Sequence, residues 1–222
     1  NELKGKYLTA IEEMMSNTSW SSGISDSDFD YSKCVLMVNK VDVSISTDQE
    51  SALKDCDLLI ESITENINVK RAFYEQIARF LPEKAVIVTN SSTLLPSKLA
   101  MFTGRPNKFL SLHFANSIWK NNITEVMGHD KTDKKYFDEV MEFAKEINMI
   151  PLPVTKEKSG YLLNSMLVPF LLSAMDLLAN GVSDPESIDR AWKLGTSSPH
   201  GPFEIIDTVG LELYTQMVNE EI

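Results

Sequence analysis

Hydrophobic and polar positions change rhythm along the chain. In residues 1–17, Leu3, Tyr7, Ile11 and Met14 recur at helical spacing and predict an amphipathic helix. The polar stretch SNTSWSSGISDSDFD reads as a loop, after which Val41, Val43 and Ile45 alternate as a strand would. Short apolar runs then follow one another: DLLIESI, AVIVTN, FLSLHF, ITEVM and IPLPV. Helical stretches lie between several of them, NVKRAFYEQIARFL closed by Pro82, then PSKLAMF, then a helix from about Lys134 to Ile147. Short apolar runs separated by helices predict a parallel sheet covered on both faces.

Beyond TKEKSG the strand signal stops. Residues 161–179 read as one long apolar helix ended by Asn180-Gly181. SDPESIDRAWKLG opens with a cap and a first-turn proline and closes on glycine, and GPFEIIDTVGLELYTQMVNEE is helical again. A boundary near residue 156 therefore divides an α/β domain, residues 1–155, from an all-α domain, residues 156–222.

Composition narrows the class. The 222 residues are 43% apolar and 24% charged, enough to bury a core. The net charge of −11, with no long Lys/Arg run, argues against nucleic-acid binding. Cys34 and Cys56 lie far apart, as in a reducing, cytoplasmic setting, and no metal-ligand spacing occurs. The apolar run 161–179 is interrupted by Asn164, Ser165, Pro169, Ser173 and Asp176, which suits a core helix and not a membrane span.

In open parallel sheets ligands bind beyond the carboxyl ends of the strands. Polar residues stand at three such ends: Glu65-Asn66, Asn90-Ser91-Ser92, and His113 with Asn116. If ITEVM folds back beside FLSLHF, Glu125 meets His113, and a His–carboxylate pair in a cleft accepts a proton from an alcohol. A bland reading exists for each group. His113 could cap a strand, NSST could be a helix N-cap, and Glu65 with Lys70 could be a solvated pair at i, i+5. His129 and His200 sit in turns and read as structural or solvated.

Several motifs, in order and at matching spacing, resemble the L-3-hydroxyacyl-CoA dehydrogenases. They are DLLIESITEN followed by VK, NSSTL at 90–94, HFANS with Glu125 twelve residues past the histidine, GYLLNSMLVPF, and PHGPFEIIDTVGLE. The similarity runs from residue 50 onward. It implies a Rossmann-type dinucleotide-binding domain, N-terminally incomplete, followed by an all-α domain that binds substrate and forms a homodimer. It also implies NAD as cofactor and a short-chain acyl-CoA thioester as substrate. His113 would take the proton of the 3-hydroxyl as hydride leaves for the nicotinamide, and Glu125 would orient it. Ser92 and Asn164 would hydrogen-bond substrate oxygens, and Ser62, Glu65, Lys70, Ser92 and Asn116 would lie around the NAD.

The chain departs from the family in two places. No G-x-G-x-x-G occurs, so the first βαβ unit is expected to be missing, and this chain to bind NAD poorly. In HFANSIWKNNITEVM, Ala115, Ser117, Trp119 and Lys120 replace the family's usual residues beside the histidine. That admits a lambda-crystallin or gulonate-type dehydrogenase of a free hydroxy acid as an alternative. A non-catalytic scaffold is a further alternative, although it has no physical need of His113, Glu125, Ser92 and Asn164 together.

Overall fold

The computed structural model describes residues 44, 46–116, 118 and 121–209. The expected helix 1–17, the strand around Val41–Ile45, residues Ser117, Trp119 and Lys120, and the chain after Val209 lie outside the described residues. From Asp48 onward the described residues belong to one compact unit.

Five strands form its sheet in the order β1-β2-β3-β4-β5: β1 (Leu58–Glu61), β2 (Val86–Thr89), β3 (Phe109–Phe114), β4 (Ile123–Met127) and β5 (Ile150–Val154). The apolar runs thus form strands where expected. One orientation differs from an all-parallel sheet. β1, β2 and β3 are parallel, but β4 runs antiparallel to β3, and β5 is parallel to β4. The connection from Phe114 to Ile123 is too short for a helical crossover, so the chain has to double back. Edge strand β5 carries Pro151 and Pro153, whereas Ile150 N–H is bonded at 2.6 Å to the Asn122 carbonyl. Two prolines on an edge withhold ladder donors that would otherwise recruit another chain.

Helix α1 (Gln49–Leu53) was not evident from periodicity, and Asp48 caps it. Helix α2 (Ile67–Ile77) starts at Asn66, whose side chain accepts from Asn68 and Val69 N–H. Helix α3 (Pro96–Leu99) runs into a 3-10 turn, Ala100–Thr103, and lacks a side-chain cap, so NSST is not its N-cap. Helix α4 (Lys134–Glu146) follows β4. The helical part comprises α5 (Leu163–Ala179), α6 (Pro185–Thr196, capped by Asp184) and α7 (Pro202–Val209). Asn180 and left-handed Gly181 end α5 as the sequence suggests. Among the described residues no helix is long and apolar enough to cross a membrane.

Strand alternation sorts the core into two layers. Ile87 and Phe109 join Tyr74, Ile77 and Leu99 on one face. Val86, Val88, Leu110, Leu112 and Val126 pack with Val140 and Ala144 of α4 on the other. A period of two therefore puts His113 and Glu125 on the Phe109 face, away from α4.

Candidate active site

The antiparallel turn sets the central pair. His113 and Glu125 are direct partners in the β3–β4 register, and their side chains lie on one face. Glu125 Oε2 is 3.0 Å from His113 Nδ1, and both residues are buried. The other oxygen, Oε1, accepts the N–H groups of Leu162 and Leu163 at 2.8 and 3.0 Å, where α5 begins. Those donors are among the unpaired amides of a helix's first turn, so a carboxylate is favoured there. Burial opposes ionisation of Glu125, but the hydrogen bonds from His113, Leu163 and Leu162 outweigh it and hold the carboxyl below its ordinary range. An ionised Glu125 accepts from Nδ1–H, and that assigns Nε2 of the neutral ring as the proton-accepting nitrogen.

A second constellation closes the ends of β1 and β2. Glu65 Oε1 accepts from the Ser91 hydroxyl, from Thr93 N–H and hydroxyl at 2.9 Å each, and from Leu94 N–H at 3.3 Å. Burial works against its charge, yet these donors, with Lys70 nearby, hold the carboxyl below its ordinary range. Asn90 Oδ1 accepts from Phe114 N–H at 2.9 Å and so ties the end of β2 to the end of β3.

Beneath this lies Glu61, a group that sequence reasoning missed. Its carboxylate accepts from Lys70 Nζ at 2.7 Å, Ile63 N–H at 2.7 Å, Tyr74 hydroxyl at 2.6 Å and Thr89 hydroxyl at 2.8 Å. Burial and the adjacent Glu61 push the Tyr74 phenol far up, so it remains a donor. Lys70 is 0% exposed and also reaches the Ile63 carbonyl. The Glu65–Lys70 pair is therefore no solvated helix-face contact. The signal available in the sequence was one glutamate closing an apolar run, LLIE.

The remaining predicted residues stand around the pair. Ser92 is half-buried, one residue past Ser91. Asn164 is half-buried in the first turn of α5, directly after the two amides that hold Glu125. Ser62 and Asn116 are exposed just past the carboxyl ends of β1 and β3. Tyr161, also missed, stacks on His113 with ring centroids 4.7 Å apart and planes at 19°. Its signal was an aromatic residue between Gly160 and the start of an apolar helix. His129 has a buried side chain tilted against Phe109, whereas His200 is exposed beside Glu204. Among the described residues no group of three or more His, Cys, Asp or Glu is placed to hold a metal ion.

Two family models match in succession. The NAD binding domain of 3-hydroxyacyl-CoA dehydrogenase matches residues 6–158, and the C-terminal domain of the same family matches residues 160–221. A 3-hydroxybutyryl-CoA dehydrogenase of Clostridioides difficile is 36% identical over 177 residues, covering 80% of this chain and 62% of that protein. The mitochondrial hydroxyacyl-coenzyme A dehydrogenase of Homo sapiens is 35% identical over 170 residues, 77% of this chain and 54% of that protein. A solved diketoreductase, described as acting on dicarbonyl compounds, is 52% identical with a TM-score of 0.73, covering 75% of this chain and 59% of that one. The chain thus spans less than two thirds of each of these relatives.

Proposed function

Since the chain belongs to the 3-hydroxyacyl-CoA dehydrogenase family, we propose that it carries the catalytic half of an NAD-dependent oxidoreductase interconverting a short-chain L-3-hydroxyacyl-CoA and its 3-ketoacyl-CoA. The observation that carries this reading is the His113–Glu125 pair, fixed by the first amides of α5 at the end of β3. Nε2 of His113 takes the proton of the 3-hydroxyl, and Glu125 balances the imidazolium that forms. In the reverse direction the same imidazolium returns the proton to the carbonyl oxygen. Asn164 and Ser92 hydrogen-bond the substrate oxygens from the α5 side and the β2 side.

The residues present suit NAD in part. Ser62, Ser92 and Asn116 stand at the carboxyl ends of β1, β2 and β3, where a dinucleotide lies against an open sheet. Glu65 and Lys70 are already engaged with protein groups, so they hold the wall behind that surface. NAD, when bound, accepts the hydride. The glycine-rich phosphate turn is absent from the sequence, so the cofactor's pyrophosphate needs residues beyond those named here.

A second reading is a reductase of simple 1,3-dicarbonyl compounds, which the 52% identity to the diketoreductase favours. A 3-ketoacyl thioester is itself a 1,3-dicarbonyl, so both readings use one proton-transfer geometry and differ in the handle. The retained pair disfavours a pure scaffold. We also assign a boundary near residue 156, a homodimer through the helical part, and a cytoplasmic setting. Support for the dimer comes from the apolar side chains exposed on α5 and α6, among them Met166 at 66% and Leu194 at 74%. For the setting, it comes from composition and cysteine usage.

The test is NADH oxidation by the protein with acetoacetyl-CoA, with a 1,3-diketone lacking CoA, and with a free 3-keto acid. Turnover of the thioester that falls about 10²–10⁴-fold in His113→Ala supports the first reading. Turnover of the diketone alone supports the second. A His113→Ala variant as active as the parent refutes both.

A further inference from the structure

We propose that Tyr161 is a positioning residue for His113, a role that rests on His113 being the proton acceptor. Three observations meet at this side chain. Its ring lies 4.7 Å from the imidazole at 19°, so it covers one face of the ring whose opposite constraint is the Glu125 hydrogen bond. Its hydroxyl donates to the Ser91 carbonyl at 2.7 Å, one residue before Ser92. Its backbone is left-handed, with φ 52°, directly after Gly160 at φ 77°.

That backbone is costly for a bulky residue, and such strain persists only where the surroundings overdetermine it. Here the two left-handed residues turn the chain sharply before α5. The turn does two things together. It carries the Tyr161 ring beneath His113, and it points the next two amides, Leu162 and Leu163, at Glu125. Tyr161 is 0% exposed, and burial pushes its phenol up, so it stays a neutral donor to Ser91. The result is one brace with separable parts: a ring that keeps the imidazole from tilting off Glu125, and a hydroxyl that holds the Ser91–Ser92 segment at a fixed distance from it.

The parts separate by substitution. Tyr161→Phe keeps the ring and loses the tether, so it leaves kcat near that of the parent and raises KM for acetoacetyl-CoA by up to about tenfold. Tyr161→Leu loses the stack, and misplacement of the base lowers kcat by about 10²-fold. Rescue of kcat by Phe relative to Leu is the expected result. Equal kcat in the parent and Tyr161→Leu, while His113→Ala is inactive, overturns the proposal and leaves the functional reading intact. An unaffected His113→Ala refutes the functional reading instead. Because the Leu variant could lose its fold, the second readout uses the unsubstituted chain and needs no substrate. Ring current from a stacked phenol moves the His113 Cε1–H resonance upfield of its random-coil position, and the shift persists in Tyr161→Phe. A random-coil resonance in the folded protein overturns the proposal.

Discussion

Glu125 serves His113 with one oxygen and helix α5 with the other: Oε2 lies 3.0 Å from Nδ1, and Oε1 receives two backbone amides. One carboxylate thus fixes the imidazole and joins the sheet to the helix that carries Asn164. Neither oxygen is free to exchange roles, since the amides are fixed donors.

That asymmetry makes Glu125→Gln informative. The two amides demand an acceptor, so the glutamine oxygen stays on them and its NH2 turns toward Nδ1. An NH2 facing Nδ1 favours the tautomer with the proton on Nε2, which blocks the nitrogen proposed to accept the substrate proton. The expected outcome is a kcat loss of about 10²–10⁴-fold with a fold close to native. Rapid-mixing kinetics together with ¹⁵N imidazole shifts, which report the tautomer, check it; an unchanged tautomer counts against this account.

Lys70 predicts a stability effect and not a cofactor effect. Its ammonium is enclosed and its partner Glu61 is 2% exposed. Lys70→Met leaves the Glu61 carboxylate buried without its counter-ion, at a cost of about 3–5 kcal/mol. Urea unfolding measures this. A native midpoint combined with a large rise in the NAD dissociation constant would return Lys70 to the cofactor surface.

Gly201 faces a fixed neighbour. A Cβ built there would run into the Asp189 side chain, and that carboxylate cannot retreat because it accepts Phe203 and Glu204 N–H at 2.8 and 3.0 Å. Gly201→Ala is expected to destabilise by about 1–3 kcal/mol through overpacking. Asp189→Ala uncaps α7 and costs about 1–2 kcal/mol. Thermal or urea midpoints read both, and the pair should be non-additive because the second change removes the Cγ and Oδ1 contacts of the first, although the Asp189 Cβ remains in its way.

Acid should weaken the protein through Glu65 and Glu125. Both carboxyls sit below their ordinary value of 4.5 in the fold, so the unfolded chain binds the proton more tightly. The stability they contribute is complete above the unfolded value and is lost as pH falls below it, through the folded values. Denaturant midpoints from pH 7 down to about pH 3 should fall, with a shallower fall in Glu65→Gln. Parallel profiles for parent and variant would refute the linkage.

Strands β1–β5, the carboxyl end of α5, the span of α6 and the His113–Glu125 pairing were legible in the sequence. Apolar runs, Asn-Gly stops and Asp-Pro starts are local signals that burial and backbone geometry impose residue by residue. The chain segment between His113 and Glu125 was also short enough to demand a return beside β3. What only the tertiary structure decided was which way polar side chains turned. Lys70 and Glu65 carry charges that read as solvent- or cofactor-facing, yet Glu61, thirteen residues before Tyr74, gathers Lys70 and three other donors into the interior. Tyr161 reads as one more apolar residue of α5. Its stacking depends on a left-handed backbone and on partners 48 and 70 residues away, His113 and Ser91, and no local pattern encodes contacts that exist only once the sheet and α5 have packed.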